Sequence, residues 1–274
     1  MTRAQGERAV VFSQPRLLIC MGTFHHSVHL ISHLVRRDFH LRYTGSALGV
    51  LWSLLLPLTQ LLVLVFVFQR VVPLGIEAYP AFVFSAILPW TWFSSCVGGA
   101  GGLFIGNRDL MRRPNFVPAI LIIVNMFSNL LTYVVSLPIL FGLLLWYGRH
   151  LTGTLLVLPV LLLVQSTLIV GLSLIIATLN VFYRDIQHSI GVALSLFFYL
   201  TPVFYHPGQA GKSYQMLFTV NPMAVLVEGY RAILFYGAVP QWDRLLLAGV
   251  ISVGTCALGY FIYSRGQHRV MDAI

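Results

Sequence analysis

Six stretches of the chain contain no Asp, Glu, Lys or Arg: residues 47–68, 81–104, 119–147, 154–179, 187–206 and 245–263. A bilayer's hydrocarbon core is about 30 Å thick and takes roughly 20 apolar residues of helix to cross. Each stretch has that length or close to it. Lipid offers no partner to a free backbone N–H or C=O, so a spanning segment must be a helix or part of a closed barrel. Barrel strands alternate polar and apolar residues, and these stretches do not. The expected fold class is therefore an all-α integral membrane protein with six transmembrane helices. The whole chain is 58% hydrophobic and 9% charged, against about 25% charged in soluble domains.

Two domains of unequal weight follow: a cytoplasmic N-terminus over 1–46 and a six-span membrane domain over 47–274. No early apolar stretch with a cleavage site precedes the first span, so that span is expected to stay in the protein. The formal net charge is +9, which might point to nucleic acid until the basic residues are placed. With a cytoplasmic N-terminus, the outer segments hold Arg70, Arg149, Lys212, Arg231 and Arg244, and the other twelve of the 17 basic residues fall on the cytoplasmic side. The positive-inside rule thus puts both termini in the cytoplasm and makes a nucleic-acid partner unnecessary. Cys20, Cys96 and Cys256 are odd in number and scattered, and read as small apolar residues rather than disulfide partners.

Ahead of the first span, Phe24, Val28, Ile31, Val35 and Phe39 recur at helical spacing, with His26, His29, His33, Arg36, Arg37 and His40 largely on other faces. This is the pattern of an amphipathic interface helix lying along the membrane surface. His25, His29 and His33 stand four apart, but no Cys or carboxylate joins them, and no metal site is assigned. Between the fifth and sixth spans, an apolar segment is broken at Asn221 and Pro222 into pieces too short to cross. The expectation is a re-entrant outer hairpin of two half-helices. The rival is a seventh span over Met216–Tyr236, which would bury Glu228 and Arg231 and carry Arg265 and Arg269 to the outside against the charge rule. Glu228 and Arg231 are three apart and can pair on a helix face, as a structural ion pair or as part of a gate.

The chemistry that the spans lack is informative. Ion-coupled carriers place ionisable residues at membrane depth, and these spans hold no Asp, Glu, Lys or Arg, with His188 and His206 only at the edges of the fifth. GLSL at 171–174 supplies a serine without a histidine partner for intramembrane proteolysis. GQAGKS at 208–213 resembles the end of a phosphate-binding loop, but His206 stands where that loop needs its first glycine. No catalytic residue is assigned, no cofactor is expected on this chain, and the energy for transport must come from another polypeptide.

Several ordered stretches carry a family resemblance: RRDFHLRYTGSALGVLWSLLLPL (36–58), AILPWTWFSS (86–95), GNRDLMRRPNFVP (106–118), TLNVFYRDI (178–186), LFFYLTPVFY (196–205) and NPMAVLVEGYRAIL (221–234). The chain resembles the membrane permease of ABC exporters for polysaccharides and polyol phosphates, which export lipid-linked O-antigen, teichoic acid and related glycans. The resemblance implies a homodimer in the cytoplasmic (inner) membrane, paired with two copies of a separate nucleotide-binding ATPase subunit that holds ATP and magnesium. It also implies a lipid-linked glycan as substrate.

The charged island at 106–118 matches the family's coupling helix, which seats in the ATPase. Leu110 and Met111 would offer an apolar knob, Arg108, Asp109, Arg112 and Arg113 its charged surround, and Pro114 and Pro118 stiff exits. In the second cytoplasmic loop, Asn180, Tyr183, Arg184 and Asp185 would fasten the turn or touch the ATPase. Trp90, Trp92, Phe93, Phe197, Tyr199 and Tyr205, with Asn221, Pro222, Glu228 and Arg231, are the candidates for the translocation path or its gate. Aromatic rings there would stack on sugar faces, although many such rings gather at membrane interfaces for their amphipathic character alone. The alternatives are an ABC permease for a drug or small lipid and, more distantly, an intramembrane enzyme.

Overall fold

A computed structural model describes residues 29–38, 40, 51–113, 116–209 and 215–272, and the side chains of all of these except 215–217 and 268–272. Several expectations fall elsewhere: Cys20, Phe24, His25, Val28 and Phe39, residues 47–50 of the first span, Pro114, and residues 210–213 of the GQAGKS turn lie outside the described residues. Every regular element among those described is helical. The helices are α1 over 29–38, α2 (Leu51–Phe66), α3 (Tyr79–Ala100), α4 (Gly102–Gly106), α5 (Arg108–Met111), α6 (Ala119–Trp146), α7 (Leu158–Phe182), α8 (Ile186–Leu200), α9 (Gln215–Val220), α10 (Pro222–Arg231) and α11 (Trp242–Asp272).

Five helical segments are long and apolar enough to cross a membrane: Leu51–Val71, Tyr79–Ala100, Ala119–Trp146, Gly153–Phe182 and Trp242–Gln267. The expected fifth span, 187–206, is a helix for only 15 residues, or about 22 Å at 1.5 Å per residue. Pro202 is the reason. A proline crowds the residue before it out of the α region, and Thr201 is extended at φ −101° and ψ 132°. Gln187 at the start of α8 bonds Gly98 near the end of α3, and Tyr79 at the start of α3 bonds Phe204 beyond the end of α8. The two helices therefore run antiparallel, and the bundle has an island end, near 98–113, and a far end, near Tyr79.

α3 is the hub. Burial covers 78% of its central window, against 17% for α2 and 22% for α11. An apolar driving force does not distinguish a helix neighbour from a lipid tail, so packing and interhelical hydrogen bonds must do so. Four side chains donate to α3 carbonyls that each keep a second lone pair: Gln165 Nε2 to Pro89 (2.8 Å), Asn125 Nδ2 to Cys96 (3.0 Å), Gln187 Nε2 to Gly98 (2.8 Å) and Asn180 Nδ2 to Gly101 (2.9 Å). In return, Trp92 Nε1 of α3 donates to Met126 O of α6 at 3.3 Å. Each such bond contributes about 0.6 kcal/mol on average, up to ~1.7 kcal/mol.

α7 and α11 cross so closely that glycine is required at the contact. A Cβ on Gly171 would lie 2.6 Å from the Cys256 backbone nitrogen, and one on Gly259 would overlap the Gly171 carbonyl oxygen. Small residues at a membrane helix crossing let the backbones meet in this way.

The segment after α8 is interrupted at Asn221, where the backbone is extended and the side-chain Oδ1 accepts the N–H groups of Met223 (2.9 Å) and Ala224 (3.2 Å). Asparagine at the cap with proline at the first helical position is a strong start signal. It divides α9 from α10, and no continuous helix runs over 216–236. α10 passes into a π turn over Ala232–Tyr236 and stops at Gly237, whose φ of 62° is the left-handed conformation that glycine adopts readily.

Candidate functional site: an aromatic groove and a charged turn

The open face of α3 borders a groove of about 350 Å³, lined by Gln60 of α2, Trp90 and Ser94 of α3, and Ser195, Phe198 and Tyr199 of α8. Its floor is aromatic. Trp90 lies 5.7 Å from Phe93, 5.9 Å from Phe197 and 5.5 Å from Phe198 between ring centroids, distances at which ring quadrupoles pack tilted or edge to face. Trp90 and Phe93 are buried beneath the groove, while Tyr199 is 65% exposed. Ser94 and Ser195 donate to carbonyls of their own helices, Thr91 at 3.3 Å and Gly191 at 2.9 Å. Their hydroxyl oxygens keep lone pairs for an incoming donor. The groove combines aromatic faces, the apolar Leu194, one carboxamide and the hydroxyls of Ser94, Ser195 and Tyr199 with no charged side chain, a lining suited to a neutral polyhydroxylated molecule and not to an ion.

Among the expected path residues, Trp90, Phe93, Phe197 and Tyr199 thus converge on one face, and Tyr205 joins its edge through a hydroxyl donated to Tyr199 O at 3.1 Å. Trp92 does not. One position round the helix, it faces α6, with its ring 5.8 Å from Tyr133. Gln60, Ser94 and Ser195 were not singled out from the sequence. A polar residue in an otherwise apolar span is the signal that could have found them, but Gln165 gives the same signal and is a wholly buried packing residue.

At the far end, Arg231 is fully buried and its expected pairing with Glu228 is not formed. Its Nη2 donates to both Pro202 O and Val203 O at 2.9 Å, and the guanidinium lies 3.8 Å from the centroid of Phe82. These carbonyls are exposed by the proline-broken end of α8, where helix carbonyls lack partners and a cation is favoured. The aromatic face adds a cation–π attraction. Glu228 turns instead to Arg244 of α11, at 3.9 Å. Asn221 Nδ2 reaches Thr201 Oγ1 at 3.3 Å and Tyr79 donates to Phe204 O at 2.9 Å. Asn221, Arg231 and Tyr79 therefore brace the broken segment 201–204, while Pro222 opens α10 at its first position.

At the island end, the knob expected from Leu110 and Met111 is split. Met111 is 3% exposed and packs with Phe104, Leu121, Ile122, Leu174 and Tyr263, whereas Leu110 is half-buried at the surface. Adjacent residues on a helical turn point about 100° apart, so Leu110 packs at the edge of the same apolar cluster and keeps part of its side chain at the surface. Arg108, Asp109, Arg112 and Arg113 are exposed around Leu110. In the second loop, Tyr183, Arg184 and Asp185 are exposed, while Asn180 is buried and fastens the turn: it donates to Gly101 O and accepts from the Gln187 backbone N–H at 3.0 Å. Gln187, which the sequence reading passed over, completes the tie by donating to Gly98 O. The α7–α8 turn is thus joined to the stretch of α3 that leads into the island. α1 lies beside it, with Leu34 buried and Leu34, Arg37 and Asp38 bordering a small cleft with Leu103, Asn107 and Leu121.

A family profile described as "ABC-2 type transporter" matches residues 29–235. The O-antigen export system permease protein RfbA of Myxococcus xanthus is 35% identical over 247 residues, spanning 89% of this chain and 95% of that protein. The protein of the same name in Klebsiella pneumoniae is 25% identical over 246 residues, with the same shares of each chain. The polysialic acid transport protein KpsM of Escherichia coli is 23% identical over 249 residues, again covering 89% of this chain and 95% of that one.

Proposed function

The chain belongs to the ABC-2 type transporter family, and from that premise we propose that it is the membrane permease of an ATP-driven exporter that moves a lipid-linked polysaccharide such as O-antigen across the cytoplasmic membrane. It is a transport subunit, and hydrolysis of ATP with magnesium belongs to a partner ABC ATPase. The observation that carries the substrate class is the groove of Gln60, Trp90, Ser94, Ser195, Phe198 and Tyr199. Sugar rings present C–H faces that stack on aromatic side chains and hydroxyls that bond amides and serines, and the absence of charge leaves a polymer free to slide. The relatives named for O-antigen export and polysialic acid transport support the same class.

The finer topology belongs to this proposal. α8 crosses together with the non-helical residues 201–206, giving six spans with both termini in the cytoplasm, as the distribution of basic residues favours. α9 and α10 form a re-entrant hairpin at the outer side, and α1 lies in the inner interface. A homodimer encloses the pathway: no residue of α8 is buried in a single copy, and Leu51, Leu55, Leu56 and Leu62 of α2 are exposed, so a second copy facing α2 and α8 would close the groove into a channel. Each copy rests on one ATPase subunit through Leu110 and its surrounding charges.

The test is export in cells or proteoliposomes carrying the permease and its ATPase. Gln60→Leu combined with Ser195→Ala is expected to lower glycan export about tenfold, the loss of roughly 1.4 kcal/mol of pathway interaction, with folded protein and basal ATPase unchanged. Undiminished glycan export would overturn the assignment of the groove.

A further inference from the structure

The far end of the bundle carries a second feature that the transport path does not use. Between α10 and the start of α11 lies a cavity of about 200 Å³, bordered by His206, Arg231, Tyr236, Gln241, Arg244 and Leu245, with Glu228 on its rim. Two guanidinium groups face one carboxylate there, leaving one positive charge in excess. Arg231 spends its Nη2 on the carbonyls of 202 and 203, while its Nε and Nη1 are buried without an acceptor among the described residues. A buried cation with unpartnered N–H groups is costly unless an acceptor arrives.

Leu245 also borders a second, almost wholly apolar groove of about 470 Å³ that runs between α7 and α11 and is lined by Leu163, Thr167, Trp242, Gly249, Val250 and Val253. Leu163, Leu246, Val250 and Val253 are each more than 60% exposed on that face. From Trp242 to Val253 the helix rises about 16 Å, half of the ~30 Å hydrocarbon core. The groove therefore has the length of one leaflet's acyl chain, with an indole at its interfacial end, where tryptophan anchors are favoured. A Cβ on Gly249 would meet nothing within 4 Å, so the space along the groove is open.

We propose that the cavity and the groove are one docking site for an anionic phospholipid: the phosphodiester sits between Arg231 and Arg244, and an acyl chain lies along α11. The charge balance selects the occupant. A monoanionic headgroup such as that of phosphatidylglycerol neutralises the single excess charge, while a zwitterionic headgroup does not. Bound there, the lipid brings α11 and α10 under one ligand, and Arg231 links it to the broken end of α8. The inference does not depend on what the transport path carries.

Native mass spectrometry of the full-length permease, titrated with phosphatidylglycerol, phosphatidylethanolamine or inorganic phosphate, tests it. Phosphatidylglycerol is expected to be retained about fivefold better than phosphatidylethanolamine, the worth of one extra cation near the headgroup. Arg244→Gln, at a position 43% exposed, should remove that preference without unfolding the protein. Gly249→Trp should weaken both lipids by filling the groove, which keeps the proposal testable if Arg231→Gln fails to fold. Equal retention of the two lipids, or a preference that survives Arg244→Gln, would overturn it. Displacement of phosphatidylglycerol by inorganic phosphate at matching concentration would overturn the lipid assignment in favour of a free-phosphate site.

Discussion

Gln165 and Gln60 both stand in charge-free spans, and α3 lies beside both, yet they do opposite things. Gln165 belongs to the packed half of the bundle, where α3 meets α6 and α7, and its amide is spent on Pro89 O. Gln60 belongs to the open half, where α2 and α8 flank α3, and its amide lines a groove. The packed half spends the amide N–H groups of Gln165 and Asn125 on backbone carbonyls of α3 and closes its crossing with glycines. The open half leaves aromatic and hydroxyl groups available. Polar residues in these helices thus divide into those that hold helices together and those that line an open groove, and the division follows which neighbour each face of α3 has.

The contrast is broken most severely at the α7–α11 crossing. Gly259→Leu forces a side chain into the Gly171 backbone and is expected to cost about 3 kcal/mol or more, so that no monodisperse protein survives detergent extraction and size-exclusion chromatography. Recovery of wild-type yield would mean that the crossing is looser than described.

The same inward and outward split recurs at the island. Met111→Ala empties a buried site and should destabilise by about 2–5 kcal/mol, read as a fall in the thermal unfolding midpoint. Leu110→Asp, at the edge of that cluster, should lower the midpoint much less and abolish transport-coupled ATP hydrolysis by the partner. A matching fall in both variants would show that Leu110 is a packing residue too.

A smaller effect separates the two glutamines. Gln165→Leu should lower stability by about 1 kcal/mol with export retained per folded molecule, and Gln60→Leu should do the reverse. If both variants lose stability alike, the division between the halves fails at its clearest point. The smallest expectation is Arg184→Gln, within about 0.5 kcal/mol of wild type, against a measurable loss for Asn180→Ala, which removes the bond to Gly101 O and the one from the Gln187 N–H.

Much of this was legible from residue order. Five of the six charge-free spans became helices long enough to cross a membrane, and the break at Asn221–Pro222 and the isolated charges at 106–113 are local signals that became a cap and a short charged turn. The misses share a cause. Helix α8 stopped at Leu200 because Pro202 acts on its predecessor's backbone, and hydropathy averages over that. Met111 turned inward because Phe104, Leu174 and Tyr263 come from three other helices to receive it. The ion pair expected between Glu228 and Arg231 gave way to a longer-range choice: the carbonyls at 202 and 203 needed a donor more than the carboxylate did, and Arg244 was brought within reach of Glu228 by the fold.

Residue order settled how many segments suit lipid, which loops carry charge and where helices must start or break, because these follow from local hydropathy, backbone sterics and capping within a few residues. Which face of each helix is buried was left to the assembled bundle. Inside a membrane, lipid and protein neighbours are equally apolar, so a helix apolar all round has no hydrophobic face to read. The choice falls to glycine contacts and interhelical hydrogen bonds between residues far apart in the chain, and these sent Trp92 into the core and left Trp90 and Tyr199, with Gln60, around the groove.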